Sequence, residues 1–444
     1  MNQDLAYNSL MSFKTALISA LLLSVPAKAS IWKQTLPYTD ENEPPATSQH
    51  VYLYDIDHDQ LLYSKHGEEP MYPASMTKVM SVLVAMETLP DPYSTVLITD
   101  EMWAGLIEEN ASVAGFSPGE TPTVEELMYG AVLPSGADAV NALAIACDGS
   151  ISAFVDHMNH KAAELGMADT HFTNPTGLHD PDHISSAKDM GILFREALNY
   201  PLFQEILLAR DYVTGPLSAH PDGLPMFSTS WPLINDGEDT YTIPGYLGGK
   251  TGFTNPAGRC LVSHAAFNGM HLVLVTGGAS GTGHISDAAS VYSWFEENYE
   301  WKTLGNQGDL ITSIAVEDSP DISAIEVRLP ETVSMDLPKN AHIETLHDLP
   351  ESLHAPIEKG QHLGTVRIAA DGQTIYEYEA LSDVSASHSS LLHYWNAWLR
   401  FYHSHRILVL GAAGAVLLLV VVKVLRDRAK KKRRRKKHRR KSGS

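Results

Sequence analysis

The stretch Pro73-Ala74-Ser75-Met76-Thr77-Lys78-Val79-Met80-Ser81-Val82-Leu83-Val84-Ala85-Met86-Glu87-Thr88-Leu89-Pro90 sets a Ser-x-x-Lys tetrad at the head of an apolar run bracketed by prolines. Apolar residues recur at helical intervals, so the spacing predicts a helix from Ala74 to Leu89, begun after Pro73 and stopped before Pro90. Three residues apart on a helix share a face, which brings the Lys78 amine toward the Ser75 hydroxyl. A serine hydroxyl is a poor nucleophile until a base takes its proton. A lysine kept from water beside other cations loses enough basicity to serve as that base. The tetrad alone is a weak signal, because chance matches are common.

Working outward, Val51-Tyr52-Leu53-Tyr54 and Leu61-Leu62-Tyr63 flank Asp57-His58-Asp59 as a hairpin would. Val124 to Cys147 is rich in Ala and Leu and is broken by Pro134-Ser135-Gly136, which predicts two helices with a tight break. A further helix runs from Phe154 to Leu165 and ends at Gly166. Cys260-Leu261-Val262 and His271-Leu272-Val273-Leu274-Val275 flank Asn268-Gly269 as a second hairpin, and Ile285 to Tyr299 reads as a closing helix. The order predicts an α+β domain, a sheet covered by helices with a helical cluster inserted. After about residue 305, short β-type runs such as 322–327 and 365–368 alternate with Pro and Gly turns, so 305–381 is expected to be a small all-β domain.

Two further motifs carry chemistry. Ser135-Gly136-Ala137-Asp138 sits on the helix break, where Ser135 is a candidate proton relay and, equally, a suitable helix cap. Gly248-Gly249-Lys250-Thr251-Gly252-Phe253-Thr254 lets an edge strand approach a bound peptide closely. Lys250 offers a positive charge to a carboxylate, and Thr251 and Thr254 offer hydroxyls; the bland alternative is a Gly-rich strand with a surface lysine. Ser-x-x-Lys, Ser-Gly-x and Lys-Thr-Gly follow one another at intervals of 60 and 115 residues. That ordered trio is the signature of penicillin-binding proteins and β-lactamases.

With its context, including Leu165-Gly166-Met167 and Phe172-Thr173-Asn174-Pro175-Thr176-Gly177-Leu178-His179-Asp180, residues 30–300 resemble the low-molecular-weight penicillin-binding proteins of the serine-type D-alanyl-D-alanine carboxypeptidase family. The resemblance implies a β-lactamase/transpeptidase-like catalytic domain over 30–304. It implies Ser75, Lys78 and Ser135 as catalytic residues and Lys250, Thr251, Gly252 and Thr254 as substrate-binding residues. Ser75 would attack the carbonyl between the terminal D-alanines of a peptidoglycan stem peptide, and Lys78 would accept its proton. Ser135 would be the second active-site serine, and Lys250 would meet the terminal carboxylate. The N–H groups of Ser75 and of Phe253 or Thr254 would form the oxyanion hole. β-Lactam antibiotics are implied as covalent inhibitors, and cell-wall biogenesis and cell shape as the setting. The segment 356–364 is similar to part of the β-rich domain that often follows in this family.

One departure stands out, Ala137 where the family usually has Asn. Asp138 and Asn141 are the candidates to compensate. The rival readings are a β-lactamase, which shares the three motifs, and a catalytically weak wall-binding scaffold, motivated by Ala137.

The ends of the chain carry location. Lys14, the apolar stretch Ala16 to Val25 and Ala27-Lys28-Ala29 predict a signal peptide over 1–29, with the mature start near Ser30. The apolar run Ile407 to Val422, about 24 Å as a helix, is extended by Val424 and Leu425 and predicts a transmembrane helix over 407–425. Of the chain's 32 Lys and Arg and 53 Asp and Glu, 14 and one fall between Lys423 and Lys441, leaving 18 basic against 52 acidic side chains elsewhere. The basic tail, 426–444, is expected in the cytoplasm and the body outside, by the positive-inside rule. The acidic body argues against a nucleic-acid partner. Residues 382–406 are expected to be a Ser-rich linker and a juxtamembrane helix. Its stripe Leu391, Trp395, Trp398 and Tyr402 fits either the membrane surface or a plain extension of the spanning helix. The 44% hydrophobic and 19% charged content fits a globular chain. Cys147 and Cys260 are expected to be buried free thiols. His179 and His183 with Asp180 and Asp182 lie in a Pro-containing loop without a metal-ligand spacing, and His157 and His160 read as helix-surface residues. No metal and no cofactor is expected.

Overall fold

The computed structural model of the chain describes residues 30–32, 43–231, 234 and 240–441. The expected signal peptide, 1–29, lies outside the described residues. The chain forms two compact units. One holds Lys33–Gly305 and Val333–His342; the other holds Asn306–Thr332 and Ile343–Ser444 with the strand Ser30–Trp32.

In the first unit, strands β1 (His50–Asp55), β2 (Gln60–Lys65), β3 (Tyr246–Thr254), β4 (Gly258–Phe267) and β5 (Met270–Ala279) make one sheet in the order β2-β1-β5-β4-β3. Every pairing in it is antiparallel. The β4–β5 hairpin turns on Asn268 (φ 51°) and Gly269 (φ 79°), the positive φ pair that a two-residue turn needs to follow strand twist.

Successive strand residues face opposite sides, and both sides are covered. On one face Val262, Val273 and Val275 meet a helical cluster. It comprises α1 (Lys78–Thr88), α2 (Val124–Val132), α3 (Ala137–Asp148), α4 (Ile151–Glu164), α5 (Ala187–Ala197) and α6 (Pro201–Leu208). On the other face Leu261, Leu272 and Leu274 pack on Ile285, Val291, Tyr292 and Phe295 of α7 (Gly283–Asn298). The α+β reading therefore describes this unit. Helix α1 is buried from Lys78 through Ala85, as its all-round apolar sequence requires. Strands β6 (Tyr299–Gly305) and β7 (Val333–Pro338) then pair antiparallel. The sequence pattern places 333–338 in the small β domain expected over 305–381. The ladder to β6 attaches it to the first unit instead.

The second unit is β-rich up to its terminal helix. Gln373–Leu381 lies between Ser30–Trp32 and His362–Ala370, which in turn pairs with Ile343–His347. Leu310–Glu317 lies between Ala324–Arg328 and, in parallel, Ser352–His354. Residues 382–389, expected to be linker, bond to this unit. Ile357 and Ala386 exchange backbone hydrogen bonds of 3.0 and 2.9 Å, and Ser389 N–H donates to Asp318 O at 2.8 Å. The helix Ser390–Lys441 follows, broken at His405 (φ −121°, ψ 21°). Trp398 stacks with Trp395 at 5.4 Å and with Tyr402 at 5.6 Å, and Leu391 is 81% exposed. Among the described residues, Ser390–Lys432 is the one single helix long and apolar enough to cross a membrane, with a window mean hydropathy of 2.7.

Leu83 is fully buried in α1. Leu83→Ala is expected to lower unfolding free energy by about 2–5 kcal/mol through lost burial and a cavity, read from a denaturant melt.

Candidate active site

Ser75 lies in the 3₁₀ turn Ala74–Thr77 that runs directly into α1. The turn is held open by Ala74 at φ +47°, a left-handed conformation that costs an alanine energy and persists only under outside restraint. The restraint is the loop after Asn174. Asn174 Oδ1 accepts from Thr176 N, Thr176 Oγ1 and Gly177 N at 3.2, 3.0 and 2.8 Å, and its amide donates to Leu178 O at 3.0 Å. Gly177 (φ +77°) sits so close that a Cβ there would stand 2.0 Å from Ala74 O. The strand side is close as well, since a Cβ on Gly252 would stand 3.1 Å from Ser75 N.

Lys78 is the first residue of α1 and is only 2% exposed. Its Nζ donates to Ser75 Oγ at 2.8 Å and to Thr176 O at 2.6 Å. Burial brings its pKa down to about 7, against the opposing pull of the Asp138 carboxylate. Lys250, on β3, is fully buried. Its Nζ donates to Ser135 Oγ at 2.9 Å and to Thr251 O at 2.8 Å. Burial, and then the Lys78 charge, hold it well below the usual lysine range.

Ser135 occupies the break between α2 and α3 at φ +64°. Two backbone bonds fix the break, Gly136 N–H to Gly130 O and Ala137 N–H to Ser112 O, both 2.8 Å. Ser75, Lys78, Ser135, Thr251, Gly252 and Thr254 all line one cavity of about 730 Å³. The three motifs thus converge, with Lys250 joined to the cavity wall through Ser135. The Thr251 hydroxyl is 2.7 Å from that of Thr229, and the Thr254 hydroxyl accepts from Ala257 N at 3.2 Å.

Ala137 also lines the cavity, and its expected stand-ins are engaged elsewhere. The Asp138 carboxylate accepts from the N–H groups of Ala114, Gly115 and Phe116 at 2.7, 2.8 and 3.0 Å. The Asn141 amide donates to Met102 O at 2.9 Å. Asp138 shapes the 112–116 loop and Asn141 ties down Met102, so neither side chain takes the place of the missing asparagine.

His183 is buried and structural. Its Nδ1 accepts from Thr173 N at 3.0 Å, which leaves Nε2 to donate to Thr77 Oγ1 at 2.8 Å, and burial lowers its pKa to about 4. His157 pairs with Asp148 at 3.0 Å. Cys260 is buried and Cys147 partly so, both free.

Sequence reasoning missed several residues of the site. The Thr176 carbonyl and the Asn174 amide could have been suspected from the turn-forming Asn-Pro-Thr-Gly, but a backbone carbonyl as a lysine ligand leaves no side-chain signal. Arg259 also lines the cavity, its guanidinium 4.7 Å from the Phe253 ring centre. It comes into place because Phe253 and Arg259 are cross-strand partners on β3 and β4.

The sequence profile of the peptidase S11 family, described as D-alanyl-D-alanine carboxypeptidase, matches residues 38–281. The chain belongs to this family. It is 32% identical over 372 residues to the D-alanyl-D-alanine carboxypeptidase DacF of Bacillus subtilis, covering 82% of this chain and 91% of that one. It is 33% identical over 262 residues to DacB2 of Mycobacterium tuberculosis, covering 56% and 83%. Penicillin-binding protein 5 of Haemophilus influenzae superposes with a TM-score of 0.58 at 26% identity, over 78% of this chain and 99% of that one. The family and the fold read from the three motifs are thereby shown, and with them a serine-type hydrolase.

Two expectations follow. In Gly177→Ala the new Cβ must displace Ala74 and Ser75, so Ser75 acylation by penicillin is expected to slow at least tenfold, while circular dichroism shows the fold retained. Because Lys78 must be neutral to accept a proton and titrates near 7, acylation is expected to rise with pH through about 7 and level off above it. A rate flat from pH 5 to 9 would show that Lys78 is not the base.

Proposed function

We propose that the chain removes the terminal D-alanine from peptidoglycan stem pentapeptides through an acyl-enzyme on Ser75. The observation that carries this reading is the 2.8 Å contact between Lys78 Nζ and Ser75 Oγ, made by a lysine with a pKa of about 7. Neutral Lys78 takes the Ser75 proton as Oγ attacks the carbonyl of the penultimate D-alanine. The carbon–nitrogen bond to the last D-alanine breaks, and the proton held by Lys78 passes by way of Ser135 to the departing amine, which returns Lys78 to its neutral form. Water then attacks the ester, with Lys78 again accepting a proton, and frees Ser75.

The developing oxyanion is met by the Ser75 N–H and by an N–H of Phe253 or Thr254, which the close approach of Gly252 to Ser75 supports. The substrate carboxylate meets the Thr251 hydroxyl in the field of Lys250. Arg259, on the cavity wall, offers the carboxylate a guanidinium. A β-lactam offers the same carbonyl and carboxylate, so it acylates Ser75 as well. The tightly held Ser75–Lys78 and Ser135–Lys250 pairs favour catalysis over a scaffold role despite Ala137.

We further assign residues 1–29 to export, the helix around 407–425 to a single membrane crossing and the basic tail to the cytoplasm, with the catalytic unit outside. The 14 Lys and Arg between Lys423 and Lys441 support that orientation.

The deciding measurement uses purified protein, a pentapeptide stem and labelled penicillin. D-alanine release and a penicillin adduct on Ser75 are both expected, and both are lost in Ser75→Ala. Ser135→Ala is expected to lower kcat for D-alanine release about 10²- to 10⁴-fold, the usual worth of a placed proton relay. Fast penicillin turnover without D-alanine release would assign a β-lactamase, and absence of any adduct a scaffold.

A further inference from the structure

Away from the cavity, the turn between β1 and β2 meets β7 in a group of ionisable side chains. Asp55 is fully buried. Its Oδ1 accepts from the N–H groups of Asp57 and His58 at 3.0 and 3.1 Å, and its Oδ2 lies 3.0 Å from His58 Nδ1. Asp336 of β7 is also fully buried; among the described residues no N–H or hydroxyl group donates to its carboxylate, whose side-chain partner is Asp55. One ligand atom from each of Asp55, His58 and Asp336 falls within 4.8 Å of the others.

Two buried carboxylates side by side cannot both ionise without a cation between them. The surroundings are nonetheless built to hold these groups in place. Gln60 clamps the Asp336 backbone from both sides, accepting from its N–H and donating to its carbonyl, each at 3.0 Å. The His58 ring is stacked on Trp301, centroids 3.2 Å apart and planes 8° off parallel. Both contacts limit how far the His58 ring and the Asp336 backbone can move.

We propose that Asp55, His58 and Asp336 bind a divalent transition-metal ion, with Zn²⁺ the best match. Two carboxylates neutralise the charge of such an ion, and the imidazole selects against Ca²⁺ and Mg²⁺, which take oxygen ligands. Ligands about 2.0–2.1 Å from a tetrahedral Zn²⁺ stand about 3.3 Å from one another, so His58 Nδ1 and Asp55 Oδ2, now 3.0 Å apart across a hydrogen bond, would part only slightly as the metal replaces the proton between them. The half-buried edge at His58 leaves water the fourth position. The ion would fasten β7 to a hairpin some 276 residues earlier in the chain, the separation of Gln60 and Asp336. The other cluster of this kind, Asp318, His388 and His393, has one carboxylate rather than two and lies open to solvent at His388. Asp318 already accepts from His354, His393 and Asn396 at 3.0, 2.8 and 3.1 Å.

The test uses the full chain in detergent, stripped with chelator, incubated with Zn²⁺ and desalted. Wild type is expected to retain one zinc per chain more than Asp336→Asn, and Asp318→Asn to retain as much as wild type. Zinc is expected to raise the Tm of wild type by several degrees and that of Asp336→Asn not at all. Asparagine keeps the shape of Asp336 and can donate to Asp55, so that variant should fold. His58→Gln, which leaves the acid pair intact, is expected to weaken zinc retention at least tenfold. Equal zinc and equal Tm shifts in wild type and Asp336→Asn would overturn the site and leave a pair of acids sharing a proton.

Discussion

A lysine amine kept out of water against a serine hydroxyl is the constraint around which the catalytic unit is arranged. Lys78 opens α1, so the positive end of that helix adds to burial in disfavouring its charge. Every neighbour contributes to that enclosure. Apolar α1 fills the centre of the helical cluster, the 174–178 loop supplies the Thr176 carbonyl, and β3 closes the remaining side with glycine. The strained φ angles at Ala74 and Ser135 belong to the same arrangement, since each aims a serine that an ordinary turn would not present.

The site contains two serine–lysine pairs rather than one linear relay. Ser75 is held by Lys78 and Ser135 by Lys250. Both lysines are buried, which disfavours the charge of each, and the Lys78 charge weighs further against that of Lys250. Ala137 removes one polar group from the wall between the pairs. Asp138, one residue on, is given over to three backbone amides and cannot be recruited without unravelling the 112–116 loop.

Much of this was legible beforehand. The three motifs, both hairpins, the break at Pro134-Ser135-Gly136 and the apolar C-terminal helix each rest on local chemistry: turn residues, helical spacing, a run of aliphatic side chains. Less legible was anything set by backbone or by distant pairing. Thr176 acts through its carbonyl, Arg259 reaches the cavity through strand register, and β7 joins the catalytic unit through its ladder to β6. Residues 382–389 looked like linker from their serines, yet backbone bonds fasten them to the β-rich unit.

The amino-acid sequence by itself determined which groups are present, their order, and the helix that sets Lys78 one turn from Ser75, because these depend on neighbours within a few residues. Tertiary structure alone decided that Lys78 and Lys250 lie in the dry, that Asp138 faces a loop rather than the cavity, and that Asp55 meets Asp336. Burial and long-range contact change the energy of a charge without altering the residue that carries it, and no local pattern records them.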